Sequence, residues 1–171
     1  TYTVRRTSGR AAVSPSEGAA LRVEGSAAVD DGPLIAQPAF YTIFARRDTR
    51  VSQPVTQSLT LVPSPSDVHV VTAVNGAEIS WRVPDAATSV LATVAGPDGT
   101  AREVPATVTG TRLTGLEVGV GYRLTLVALY QGGGLRSAPV ETMVVPSLPA
   151  KPVTSVMLAQ VSGGTNLVKA T

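Results

Sequence analysis

The chain has 171 residues, a net charge of +2 and no cysteine. This length is enough for one or two domains with their own apolar cores. The weak charge gives no argument for nucleic-acid or membrane binding, and without cysteine there is no disulfide, thiolate nucleophile or cysteine-bound metal. Thirteen prolines and sixteen glycines favour short strands separated by turns over long helices.

The first 62 residues alternate between strand patterns and turn patterns. Tyr41, Ile43 and Ala45 fall on one face of a strand, and Tyr41 is predicted to be a core residue. Pro54 interrupts the last extended run, which marks an edge strand or a bulge. Four strands are predicted in this part, at residues 2–6, 20–24, 40–46 and 51–62.

A central unit follows the proline-containing linker 63–66 and contains seven short strand patterns. Asn75 and Gly76 predict a two-residue hairpin turn, because both tolerate positive φ. Ile79 and the single tryptophan, Trp81, are predicted to face inward from the second strand. Tyr122 and Leu124 are predicted to face inward from the sixth. The seven strands are predicted at residues 67–73, 77–83, 89–95, 101–104, 107–113, 122–128 and 135–145.

Three sequence features of the central unit resemble a fibronectin type III module. Trp81 matches the tryptophan of the second strand, and Leu116, Gly119 and Tyr122 match the Leu-x-x-Gly-x-x-Tyr corner. The run 137–140 matches the Ser-x-Pro of the last strand. The resemblance implies an all-β, immunoglobulin-like sandwich in which the Tyr122 hydroxyl bonds to backbone near the corner. The predicted core residues are Trp81, Tyr122, Leu116, Ile79, Leu124 and Tyr41.

An internal repeat suggests more than one module. Aligning Tyr41 with Tyr122 gives an offset of 81 residues (122 − 41), which suits one such module. We expect residues 1–63 to be the C-terminal part of one module, 67–146 a complete module and 152–171 the start of a third. Both ends are interpreted as cuts within a longer protein.

The candidate chemical groups are better explained as ordinary surface features. His69 is the only histidine, and its neighbours in the strand place it on the outer face, so no catalytic triad is expected. The Asp-Gly sequences at 30–32 and 98–99 suggest turns, since further oxygen ligands for calcium do not follow. The arginine clusters at 5–10 and 46–50 suggest a solvated outer face. The glycines at 132–134 predict a flexible hairpin loop.

One predicted surface feature is less ordinary. If alternate residues of two neighbouring strands are buried, then Leu91, Val127 and Leu129 point outward together. They form a candidate apolar patch for protein interaction.

Two functional classes remain at this stage. The first is a non-catalytic spacer or protein-interaction array, and the second is a set of accessory modules of a polysaccharide-acting enzyme. A carbohydrate-binding module is disfavoured, because the one tryptophan is assigned to the core. The Arg-Gly-Asp tripeptide is absent, so integrin binding does not carry over from the resemblance. No cofactor or metal is expected, and such arrays are commonly found outside the cell or in the cell envelope.

The expected partners are other modules and an unidentified protein. The incomplete end modules allow two outcomes. Either further modules of the same protein complete them, or copies join head to tail, with residues 153–171 of one copy supplying strands to residues 1–62 of another.

We expect the chain to have no hydrolase or transferase activity, because it has no nucleophile–base pair and no set of metal ligands. A panel of substrates tests this expectation. Turnover that survives both His69→Ala and chelation would contradict it.

Overall fold

A computed structural model describes residues 1–148 and two further strands, Val156–Val161 and Thr165–Ala170. All its regular elements are β-strands except for one 3-10 turn, Gln131–Gly133. In these residues no helical stretch has the length and apolar character needed to cross a bilayer. Residues 149–155, 162–164 and 171 lie outside this description, so the sequence predictions for residues 153–155 and 171 cannot be compared with it.

The first part of the chain forms one antiparallel sheet and a separate small hairpin. The sheet has the order β2-β1-β5-β7, with β6 pairing at the turn end of β5, while β3 and β4 pair only with each other. The strands are β1 (Tyr2–Ser8), β2 (Ala19–Ala20), β3 (Arg22–Glu24), β4 (Ala27–Val29), β5 (Pro38–Arg47), β6 (Arg50–Val51) and β7 (Val55–Thr60).

The central part forms a two-sheet sandwich. One sheet has the order β12-β9-β8, and the other has the order β11-β10-β13-β15, with β14 pairing at the turn end of β13. All neighbours are antiparallel. The strands are β8 (Ser66–Ala73), β9 (Gly76–Arg82), β10 (Ser89–Ala95), β11 (Ala101–Val104), β12 (Gly110–Thr114), β13 (Tyr122–Tyr130), β14 (Leu135–Arg136) and β15 (Val140–Val144).

Both sheets of the sandwich contribute to one apolar core. Trp81 is 5% exposed, and its indole nitrogen donates to the carbonyl of Val108 at 2.9 Å. Ile79, Leu116 and Leu124 are buried in the same cluster, and Tyr122 packs against it. The Tyr122 hydroxyl accepts a bond from the Glu117 amide at 3.0 Å. The tyrosine therefore supports the turn that leads into its own strand.

The first hairpin of the sandwich turns one residue earlier than the sequence suggested. Its turn residues are Val74 and Asn75, and Gly76 already pairs with Ala73. Asn75 takes the positive φ, at 59°. Gly76 is required for another reason: a Cβ there would lie 2.4 Å from the carbonyl oxygen of Leu113.

The cross-strand pairs relate the first sheet to the sheet β11-β10-β13-β15 of the sandwich. In the first sheet, Val4 on β1, Ile43 on β5 and Val55 on β7 are cross-strand neighbours and form one row. A corresponding row crosses β10, β13 and β15. That second row is Ala92–Leu126–Val140. In each sheet the central residue of the row lies four residues before the last pair of the turn. Ile43 precedes Arg47, which pairs with Arg50, and Leu126 precedes Tyr130, which pairs with Leu135. The first sheet thus has the same register as the sheet β11-β10-β13-β15 of the sandwich.

This register corrects the alignment of Tyr41 with Tyr122. Tyr41 corresponds to Leu124, and Ala39 occupies the position of Tyr122. The turn after β5 has two residues and the turn after β13 has four, so matching the two tyrosines shifted the strands by two. A shift of two keeps the same face, but Tyr41 is not a corner tyrosine. It is also only half-buried and belongs to neither buried apolar cluster of the described residues.

A final hairpin lies beyond the sandwich. β16 (Val156–Val161) pairs antiparallel with β17 (Thr165–Ala170) over six residues each. Among the described residues these two strands pair only with each other.

Replacing Trp81 by Ala should lower the free energy of unfolding by about 3–5 kcal/mol, because it empties the largest site in the core. Chemical denaturation of the variant and the parent measures the difference. Val71→Ala is the control, since Val71 is 66% exposed on the neighbouring strand. A Trp81→Ala protein with the parent's denaturation midpoint would contradict this account of the core.

Candidate functional site

No cluster suited to binding a metal ion occurs in the part of the chain that the structure describes. His69 is exposed on β8, and no three His, Asp or Glu residues of the described ranges come together. Asp98 accepts bonds from the amide and hydroxyl of Thr100 within its turn. Hydrogen bonds from Thr100 lower the pKa of Asp98, as expected for a turn aspartate.

The feature that stands out is a partly covered apolar face on the first sheet, which we call the open face; its Val4 is 7% exposed. It comprises the side of the sheet that carries Tyr2, Val4, Tyr41, Ile43 and Val55. These residues line a groove of about 510 Å³. The β3–β4 hairpin forms another wall of the groove through Leu21, Val23, Ala27 and Ala28.

Comparison with the equivalent positions in the sandwich shows how much of this face is uncovered. Ile43 is 43% exposed and Leu59 is 54% exposed, whereas their counterparts Leu126 and Val144 are both fully buried. Tyr2 is 60% exposed, whereas its counterpart Val90 is 6% exposed. The alternation that builds a core face is present, but among the described residues the second sheet that would cover it is represented only by β3 and β4.

The opposite face of the first sheet is covered locally. Thr42 and Phe44 on β5 are buried, as is Ala12 in the preceding loop. The Thr42 hydroxyl accepts a bond from the Ala12 amide at 3.2 Å. The Arg5 guanidinium also donates to the carbonyl of Pro15 in this loop. Residues 9–18 thus lie over this side, so that only one face of the first sheet stays open.

A charged group closes one end of the groove. The Asp30 carboxylate forms a salt bridge with the Arg6 guanidinium at 2.5 Å and accepts a hydrogen bond from the Tyr41 hydroxyl at 2.8 Å. Burial by itself would raise the pKa of Asp30, but the hydrogen bonds from Tyr41 and Arg6 outweigh it, and the pKa lies below its usual value. Burial and the bond to Asp30 raise the pKa of Tyr41. Asp30 is therefore a partner of Arg6 and Tyr41 and not merely a turn residue.

A second buried cluster joins the first part of the chain to the sandwich. We call it the junction; it consists of Ala36, Ala128 and Tyr130, with partly buried apolar neighbours around them. Tyr130 is fully buried, and its hydroxyl donates to the carbonyl of Pro63 at 2.6 Å. Burial, and then the charge of Asp85, raise the pKa of this hydroxyl.

Polar contacts extend the junction on both sides. The Gln131 side-chain amide donates to the carbonyl of Ala36, and the Ser64 hydroxyl donates to the carbonyl of Ala138 at 2.8 Å. Sequence patterns did not reveal the junction, because it uses backbone carbonyls and the positive φ of Ala36, 56°.

The residues of the predicted outer patch lie next to one another on two paired strands. Leu91 pairs directly with Val127, and Leu129 lies two residues further along the same strand. All three are half-buried. Their role in binding a partner stays a prediction.

Comparison with known proteins gives a clear answer for the fold. The structure is similar to a segment of two fibronectin type III domains from chicken tenascin, with a TM-score of 0.50, 18% identity, and coverage of 84% of this chain and 83% of that one. It is also similar to the fibronectin type III domain of the human collagen alpha-1(XX) chain, with a TM-score of 0.44, 22% identity, and coverage of 54% of this chain and 92% of that one. No protein-family model matches the sequence, and no curated protein matches it.

The chain therefore has the all-β fibronectin type III fold in a tandem arrangement, as its sequence predicted. The resemblance is one of fold alone.

Replacing Asp30 by Asn should reduce the stability of the first sheet at neutral pH. The folded state holds the pKa of Asp30 below that of the unfolded chain, which is about 3.9. Its stabilising contribution is therefore complete above that pH and is lost as the pH falls through the folded-state pKa. Thermal melts followed by the amide signals of β1 and β5, from neutral pH into acid, should show this loss in the parent but not in Asp30→Asn.

Asp31→Asn is the matched control, because it removes the same charge from the exposed neighbouring residue. If the two variants have the same pH profile, the Arg6–Asp30–Tyr41 group does not contribute as described.

Proposed function

We propose that this chain is a non-catalytic spacer built of successive sandwich modules that are fixed end to end. In this proposal residues 1–63 belong to one module, 67–146 form a second and 152–171 begin a third. The single observation that carries it is the buried junction, where a fully buried tyrosine of the central sandwich bonds to the backbone of the connecting segment.

The connecting segment, residues 62–65, supports this proposal because three of its residues have contacts and the fourth is buried. Val62 packs against the junction cluster, the Pro63 carbonyl accepts from Tyr130, and Ser64 bonds to Ala138. Pro65 is buried. A flexible linker would leave such residues in water. Here they restrict the angle between successive modules.

The direction of the strands supports a linear arrangement. The junction lies at the Tyr130 end of β13, whereas β15 ends at Val144, which pairs with Tyr122 at the other end of β13. Nine residues of strand separate these ends by about 30 Å. The chain therefore enters the central sandwich at one pole and leaves it at the other, as a spacer requires.

The tandem likeness to the tenascin segment fits a chain of successive modules. The alternative, accessory modules of a polysaccharide-acting enzyme, would be favoured by a catalytic domain with paired carboxylates elsewhere in the protein.

Tyr130→Ala tests the proposal. The variant should lose the fixed orientation of the first sheet relative to the sandwich, because it leaves a cavity in the junction and removes the bond to Pro63. Residual dipolar couplings measure this directly. The amides of β5 and of β13 should share one alignment tensor in the parent and require two in the variant.

Met143→Ala is the control, since Met143 is 58% exposed on the same sandwich; it should keep one tensor. For Tyr130→Phe, the agreement of the β5 and β13 couplings with one alignment tensor should lie between that of the parent and that of Tyr130→Ala, because this variant loses only the hydroxyl. A parent that already requires two tensors would overturn the proposal.

A further inference from the structure

We propose that the open face of the first sheet binds the β16–β17 hairpin of a second copy of this chain. Copies would then join head to tail, and each contact would complete a sandwich. This inference goes beyond the spacer proposal and does not depend on the rigidity of the junction.

The central sandwich shows what kind of segment fits such a face. There the β8–β9 hairpin, extended by β12, covers the sheet that contains β10 and β13. Val70 and Ile79, cross-strand neighbours in that hairpin, pack in the same cluster as Leu124 and Leu126. The first sheet has the same strand order and the same row-by-row register. The occupant that this geometry requires is therefore a two-stranded antiparallel hairpin.

The β3–β4 hairpin leaves room for this occupant. β4 directly precedes β5 in the chain, as β12 directly precedes β13. β12 pairs with β9, whereas β4 has β3 as its only strand partner among the described residues. A hairpin added beside β4 would extend this small sheet across the groove. Backbone hydrogen bonds would join the added strand, and apolar burial would cover Tyr2, Ile43 and Val55.

The chain itself contains a hairpin of this kind. β16 and β17 pair over six residues each, with three residues between them. The register places Leu158 opposite Val168 and Val156 opposite Ala170. Lys169 is the single charged residue of the two strands. The hairpin follows a proline-containing segment, as β8 follows Pro63 and Pro65.

The hairpin of the same copy does not have the reach to cover its own open face. The chain is held at the far pole of the sandwich, where the Pro146 carbonyl accepts from Gly119 and Ser147 bonds to Thr72. Nine residues lead from Ser147 to Val156 and span at most about 32 Å. This span is about the length of β13 alone. The open face lies farther away, beyond the end of the sandwich at which Tyr130 forms the junction. If the β16–β17 hairpin covers an open face, that face therefore belongs to a second copy.

The contact is heterologous, so copies of the parent chain should form a concentration-dependent series or a closed ring. Sedimentation velocity of the full chain over a range of concentrations measures this. Ile43→Asp places a charge on the open face, and Leu158→Pro removes a ladder donor from β16. Each variant alone should sediment as a monomer. Val71→Asp, at a 66% exposed position outside the groove, should assemble like the parent.

The two defective variants together give the decisive measurement. Ile43→Asp retains an intact hairpin and Leu158→Pro retains an intact open face, so an equimolar mixture should form a one-to-one dimer and nothing larger. The fluorescence of the buried Trp81 verifies that the central sandwich is folded in each variant.

Three results would overturn the proposal. The first is a parent that stays monomeric at every concentration, which would leave the face to some other segment or protein. The second is assembly of either single variant to the same extent as the parent. The third is an equimolar mixture that contains only monomers.

Discussion

The packing of one sheet against another around Trp81 is the interaction on which the described structure depends. A β-sheet with alternating apolar residues is stable only when its apolar face is covered. In the central sandwich this requirement is met from both sides. Trp81 and Ile79 on one sheet pack in the same buried cluster as Leu124 and Leu126 on the other. The turn at Leu116, the Tyr122 corner and the Trp81–Val108 bond all hold the two sheets in that position.

The first sheet shows what the same strand order looks like without full cover. Its rows match those of the sandwich, yet Ile43 and Val55 are exposed where Leu126 and Val140 pack on the core. The two sheets share a strand order, and the described residues cover them differently. The open face and the junction are therefore two separate properties of this part of the chain: one face is only partly covered by the described residues, while the connection to the sandwich is closely packed.

Alternation along the strands predicted the fold and much of the open face. It correctly placed Trp81, Ile79 and Leu124 in the core, because period-two patterns specify which face of a strand is buried. It could not determine register, so Tyr41 was matched with Tyr122 and not with Leu124. It also missed the junction, since no side-chain pattern encodes a bond from Tyr130 to a carbonyl or the left-handed conformation of Ala36.

The position of Arg6 has a consequence for which segments can cover the first sheet. Arg6 stands where the sandwich has the buried Val94, and its charge is balanced by Asp30 and not removed. The Arg6 and Asp30 side chains are already only 16% and 14% exposed, so a segment that seals this end packs against a paired charge where the sandwich has a valine. The equivalent strand position is thus an apolar core site in the sandwich and a paired charge in the first sheet, so segments that cover the two sheets need different side chains opposite this position.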